Sequence, residues 1–140
     1  MSKVAVIYYS STGNTEMMAQ AVAKGAQNAG ASVDCVSVSD VASLDLNSYE
    51  GFGLGCSAMG NEELDEGEFR PFFEALLPSL ADKKVVLFGS YGWGDGEWMR
   101  KWKDECEAGG VKLAGEPVIC MEAPDDEGSA NCEALGKLLA

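Results

Sequence analysis

Apolar positions in this chain come in short runs that change period from one segment to the next. Residues 3–9 form a β-branched and aromatic run of strand length, closed by a Ser/Thr/Gly cluster, and the alanine-rich stretch 15–29 then takes helical spacing. Gly30 closes that helix, and 33–38 alternates as a second strand. After a loop holding Asp40, Asp45 and Asn47, residues 49–57 resume an extended apolar run. A second helix is expected over 66–80. Residues 84–90, Lys-Lys-Val-Val-Leu-Phe-Gly-Ser once Lys83 is counted, read as a strand buried on both faces. A glycine-rich turn leads to a helix over 96–108 ended by Gly109-Gly110; 111–121 supplies a last strand, Pro124 a turn, and 131–139 a closing helix.

Strands alternating with helices imply a parallel sheet with helices on both faces, because each crossover is long enough to return to the same edge. The expectation is one α/β domain over residues 1–140, a three-layer sandwich around a five-stranded parallel sheet. In open sheets of this kind ligands sit beyond the carboxyl ends of the strands, where the winding reverses, so the loops after the strands should hold the chemistry.

Length and charge narrow the functions available. The chain has 140 residues, a formal charge of −13 and no histidine. Nucleic-acid phosphates and anionic lipid surfaces are repelled by such a surface, whereas basic protein partners are attracted. No apolar run is long enough to span a bilayer and no basic-then-apolar signal segment opens the sequence, so the expectation is a cytoplasmic protein. The five cysteines, Cys35, Cys56, Cys106, Cys120 and Cys132, are widely spaced and lack a C-x-x-C pair. They read as neither a metal site nor a disulfide framework, and Cys35, Cys56 and Cys120 read as small buried hydrophobes in strand-like runs.

Three loops after strands carry unusual composition. In Ser10-Ser11-Thr12-Gly13-Asn14-Thr15, hydroxyls, an amide and the N–H groups of a helix start can converge on one anion, and Gly13 permits the tight turn. No lysine or arginine occurs from Val4 to Ala23, so the loop lacks the cation that a triphosphate site requires and suits an enclosed phosphate monoester. The plainer reading is an elaborate helix cap. In Ser57-Ala58-Met59-Gly60-Asn61-Glu62, Gly-Asn favours a turn whose peptide can change orientation, and Met59 offers a polarisable surface. In Ser90-Tyr91-Gly92-Trp93-Gly94-Asp95-Gly96, glycines let the backbone approach a ligand while Trp93 supplies a flat stacking surface; Trp98 and Trp102, four apart on the next helix, read as packing residues.

A monophosphate at one end of a pocket and a planar ring between methionine and tryptophan at the other describe flavin mononucleotide (FMN). The motifs at 9–15, 55–62 and 88–96 closely resemble the three FMN loops of short-chain flavodoxins. That resemblance spans essentially the whole chain and implies strand order 2-1-3-4-5. It further implies that Ser10, Ser11, Thr12, Gly13, Asn14 and Thr15 hold the phosphate. Met59 lies on the inner face of the flavin ring and Trp93 on its outer face, with Ser57 and Ala58 in the same loop. Backbone groups near Ser90, Tyr91 and Gly92 would contact the pyrimidine edge, with Gly94 in the same cofactor-binding loop, Glu62 matches a carboxylate that accepts from the flavin N3–H, and the Gly60-Asn61 peptide matches one that turns over on one-electron reduction. Asn61 and Ser11 stand where similar members often have Asp or Ser, and glycine. No catalytic residue and no metal are implied.

The acidity then acquires a location. Between Asn61 and Glu74 six carboxylates face Arg70 alone, and Asp95, Glu97, Glu122, Asp125, Asp126 and Glu127 fall in or beside the other loops. At ~10 Å a carboxylate acts on a reduced anionic flavin by roughly 0.4 to 1.7 kcal/mol for effective dielectrics of about 80 to 20. The expected function is therefore a low-potential one-electron carrier. Its partners are expected to be redox proteins with basic docking surfaces; the resemblance implies ferredoxin-type clients such as pyruvate oxidoreductase, hydrogenase or NAD(P)H-linked reductases, and a monomer is expected. Two rivals share the fold: a nicotinamide-dependent quinone reductase, and a signalling receiver domain, which needs clustered aspartates that the Ser/Thr loop does not supply.

Overall fold

The computed structural model describes residues 2–10, 13–59, 64–92 and 96–140. Its order is β1 (Lys3–Tyr9), α1 (Asn14–Asn28), β2 (Ser32–Ser37), β3 (Gly51–Cys56), α2 (Phe69–Leu76), β4 (Lys84–Tyr91), α3 (Glu97–Ala108), β5 (Val118–Met121) and α4 (Asp126–Lys137), with short 3₁₀ turns between β2 and β3 and after α2. All pairings are parallel and the strand order is β2-β1-β3-β4-β5, as expected.

The alternation of side chains across each strand builds two cores. Ala5, Ile7, Phe52, Leu54, Val85 and Leu87 face α2 and α3, where Phe69, Phe73 and Trp102 pack edge to face. Val4, Val6, Val86 and Phe88 face α1 and α4. A strand covered on both sides is apolar at every position, which is why β4 could be read from its run of residues alone. The glycines of β3 lie on the α1/α4 face, and the Phe88 ring occupies the space a Cβ on Gly55 would need. Gly136 lets α4 approach the backbone of α1, since a Cβ there would strike the Val22 carbonyl.

Three elements and one cysteine differ from the sequence expectation. Helix α2 begins at Phe69, three residues later than expected, because the Asp65 carboxylate accepts from the N–H groups of Glu68 (2.8 Å) and Phe69 (3.0 Å) and so fixes the helix start. The last strand is confined to Val118–Met121: Leu113 makes only an isolated bridge to Val85, and Gly115 and Pro117, the latter without an N–H, break the ladder between them. Helix α4 starts at Asp126, earlier than expected, where Asp125 Oδ1 accepts from Gly128 N–H at 2.7 Å. Cys35 is exposed, on the edge strand β2; Cys56 and Cys120 are buried as expected.

Candidate functional site

Strands β1, β3 and β4 end side by side, Tyr9 opposite Cys56 and Gly55 opposite Phe88, so the residues that follow them meet at one end of the sheet. The ladder runs on past the strands: Ser57 N–H donates to Tyr9 O (3.2 Å) and Ala58 N–H to Ser90 O (2.9 Å). Ser10, Ser57 and Ser90 are thereby gathered around the start of α1, whose free N–H groups carry the positive end of the helix dipole.

Ser10 Oγ accepts from Gly13 N–H (3.0 Å) and Glu16 N–H (3.2 Å), which leaves its own proton available to a further acceptor. Gly13, at φ 92°, makes the left-handed turn into α1, and nothing lies within 4 Å of where a Cβ would stand. Thr15 is fully buried; its Oγ1 lies 2.8 Å from Ser57 Oγ and accepts from Ser90 N–H at 3.2 Å. Asn14, Ala58, Met59 and Tyr91 are half-buried and Gly92 is exposed, with Ala58 and Tyr91 packed against the core. Ser11, Thr12, Gly60, Asn61, Glu62, Trp93 and Gly94 lie outside the described residues.

Two residues contribute through backbone contacts that no sequence pattern signals. Glu122 adopts φ 58°, a left-handed conformation uncommon without glycine; its N–H donates to Tyr91 O (2.8 Å) and its carbonyl accepts from Ser90 Oγ (2.7 Å), which fixes the end of β4 from the outer edge. Trp98 Nε1 donates to Cys56 O at 3.2 Å and supports the β3 end from beneath. Trp98 and Trp102 are both core residues, as their spacing suggests.

Electrostatics favour binding over acid–base work. Burial pushes the Cys56 thiol up to about 12, against a smaller opposing effect of the Asp65 N–H on its sulfur, so it is protonated at neutral pH. The chain has no histidine. Among the described residues these loops therefore present hydroxyl and amide donors beside thioether and aromatic surfaces. A phosphate monoester fits the donor set, which has a helix N-terminus and an outward hydroxyl but no cation that a larger polyphosphate would need. Met59 and Tyr91, both half-buried, offer thioether and aromatic surface suited to a flat ring.

Fold and loops together define a doubly wound α/β protein that holds a nucleotide-like ligand beyond its parallel strands. Residues 6–136 match the flavodoxin family model. The chain is 44% identical over 135 residues to a flavodoxin of Clostridium beijerinckii, covering 96% of this chain and 97% of that one. It is likewise 44% identical to the flavodoxin of Megasphaera elsdenii over 98% of both chains. The solution structure of that protein in its two-electron reduced form superposes with a TM-score of 0.86, covering 97% of each chain. A stretch of 90 residues is 52% identical to an NAD(P)H dehydrogenase (quinone) of Caulobacter vibrioides, spanning 64% of this chain and 38% of that protein. This chain belongs to the flavodoxin family, whose members are FMN-binding electron-transfer proteins.

Proposed function

We propose that this chain is a low-potential, one-electron carrier that holds FMN noncovalently and passes electrons between redox proteins with basic docking surfaces. The observation that carries the reading is the buried contact of Thr15, Ser57 and Ser90, which ties all three loops at the carboxyl ends of the strands into one unit. Bound FMN supplies reversible electron uptake at its ring. The residues of the chain supply the rest.

Ser10, with Ser11, Thr12, Gly13 and Asn14, encloses the phosphate: α1 presents N–H groups, and the Ser10 hydroxyl, already accepting twice, donates outwards. Thr15 and Ser90 work from behind, since the Thr15 hydroxyl and the Ser90 N–H and C=O are engaged within the protein. Met59 and Trp93 would cover the two ring faces, backbone groups near Ser90, Tyr91 and Gly92 would border the pyrimidine edge with Gly94 in the same loop, and Glu62 would accept from the flavin N3–H. The Gly60-Asn61 peptide would be the group able to change orientation on reduction. Carboxylates beside these loops, Glu97, Glu122, Asp125, Asp126 and Glu127, oppose accumulation of a second negative charge and draw basic partners. The carrier is proposed to act as a monomer in the cytoplasm; no helix among the described residues is long and apolar enough to cross a membrane.

The test is the visible spectrum of the purified protein followed by stepwise reductive titration. A yellow protein that takes up its two electrons in separate steps supports the reading, and a folded colourless protein that ignores added FMN overturns it. Steady oxidation of NADH by the isolated FMN-loaded chain, with a quinone as acceptor, would favour the reductase suggested by the shared 90-residue stretch.

A further inference from the structure

The flavin loops occupy the carboxyl ends of the strands; the opposite end of the sheet carries a second hollow, of about 650 Å³, where the chain enters β1, β3 and β4 and where residues 112–114 run alongside. Lys83, Lys84 and Lys112 line it, three of only ten cationic side chains set against 23 carboxylic ones. Two of the three are neighbours by register. Leu113 bridges Val85, and Ala114 N–H donates to Val85 O at 2.8 Å, so Lys112 stands beside Lys84, one position earlier on each segment. Like charges placed side by side repel, and in so acidic a chain carboxylates to offset them are abundant. Yet among the described residues Lys83 and Lys112 form no ion pair, and Lys84 Nζ donates to Ala140 O at 2.8 Å. Glu50 and Asp82 line the same hollow without pairing with any of the three lysines.

We propose that this hollow binds a small multivalent oxyanion, a phosphate ester or a polycarboxylate, through the ammonium groups of Lys83, Lys84 and Lys112. An ammonium is a compact charge with three donors on a flexible stem, so three of them can serve several oxygens of one anion without a fixed fork geometry. Bound there, the anion relieves the repulsion between Lys84 and Lys112 that the chain itself leaves uncompensated. The hollow is concave and small, which suits a single molecule and not a bilayer or a nucleic-acid duplex.

The net charge of −13 does not prevent this. Strand β4 has eight residues, which at about 3.3 Å each put the flavin end roughly 25 Å away, well beyond the Debye length of about 8 Å at physiological salt. The carboxylates around the flavin loops are therefore screened from the hollow, and those that oppose the anion are Glu50 and Asp82 at its rim. The proposal does not depend on the FMN reading.

The experiment titrates the isotopically labelled full chain, as purified and with FMN added in excess, with sodium pyrophosphate or sodium citrate while sodium chloride holds the ionic strength constant. Expected are saturable amide shifts at residues 50–51, 82–84 and 112–114, with residues 13–16 at the start of α1 unmoved. Lys84→Gln combined with Lys112→Gln should weaken binding about tenfold, whereas Asp82→Asn, which removes a repelling charge, should tighten it. Saturation by pyrophosphate alone supports a phosphate ligand, by citrate alone a polycarboxylate, and by both a site that selects charge over shape. Shifts that do not saturate, that chloride reproduces, or that map to residues 13–16 instead overturn the proposal, as does an unchanged affinity in the double Gln chain. The shift map of the parent chain decides it even if the double variant does not fold, and it reads the far end of the sheet whether or not FMN is bound.

Discussion

Thr15 Oγ1 and Ser57 Oγ lie 2.8 Å apart in the buried floor of the site, although 42 residues separate them in the chain. Either hydroxyl can supply the proton between them; Thr15 Oγ1 also accepts from Ser90 N–H, and Ser57 Oγ lies 3.5 Å from Tyr9 O. One helix residue thus links the ends of β3 and β4 directly, and the end of β1 through Ser57.

Thr15→Val keeps the shape of the side chain and removes its hydroxyl, leaving Ser90 N–H buried without its acceptor. A buried donor so exposed to loss costs about 1–3 kcal/mol. The variant should therefore unfold at lower denaturant in the FMN-free form and bind FMN more weakly, with Thr15→Ser restoring most of both. Equal denaturant midpoints for Thr15→Val and the parent would show that the contact stabilises nothing.

The two buried tryptophans of α3 offer a matched pair of substitutions. Trp98 Nε1 donates to Cys56 O, whereas Trp102 Nε1 is buried with no hydrogen-bond partner among the described residues. Trp98→Phe should cost a packing loss plus a hydrogen bond of about 0.5–1.5 kcal/mol, but Trp102→Phe removes an unsatisfied donor and offsets part of its packing loss. Urea unfolding of both should find Trp98→Phe the less stable; the reverse order would contradict the assignment.

How much of this was legible in the sequence follows from which interactions are local. Strand β4 was readable because burial on both faces makes every residue apolar, and the three loops were readable because their residue types are unusual together. The inward turn of the Thr15 hydroxyl was not, since the phase of α1 against β3 and β4 decides whether that side chain faces a ligand or the protein. Nor was the exposure of Cys35, which depends on β2 lying at an edge, or the early start of α4, which depends on one carboxylate finding Gly128 N–H. The shortness of β5 follows from Gly115 and Pro117, which interrupt the ladder ahead of Val118.

Stability should be nearly flat from about pH 6 to 8, because without histidine no side chain of ordinary pKa titrates there. It should fall on the alkaline side. Burial raises Cys56, Cys106 and Cys132 from 9.0 to about 12, and Tyr49 from 10.0 to about 12 with help from its hydrogen bond to Asp34. The unfolded chain releases these protons first, so their contribution is complete below about pH 9 and is lost as pH rises towards 12. Thermal midpoints measured under reducing conditions should decline across that window; a constant midpoint from pH 9 to 11 would refute the burial of these groups.

Ser10 separates the helix-cap and phosphate roles of the first loop. Its oxygen accepts from Gly13 and Glu16 N–H, a capping role, while its hydrogen is directed elsewhere. Ser10→Ala should cost about 1 kcal/mol in the FMN-free protein and also weaken FMN binding. Ser10→Asp retains an acceptor for the same N–H groups and places negative charge at the positive end of α1, so the FMN-free protein should keep its stability. That same charge repels a phosphate dianion and supplies no proton to it, so FMN affinity should fall further than in Ser10→Ala. Denaturant midpoints of the FMN-free forms, set beside FMN affinities from fluorescence quenching, read the two roles independently. If Ser10→Asp bound FMN as tightly as the parent, the hydroxyl would be a cap alone and the phosphate would have to lie elsewhere.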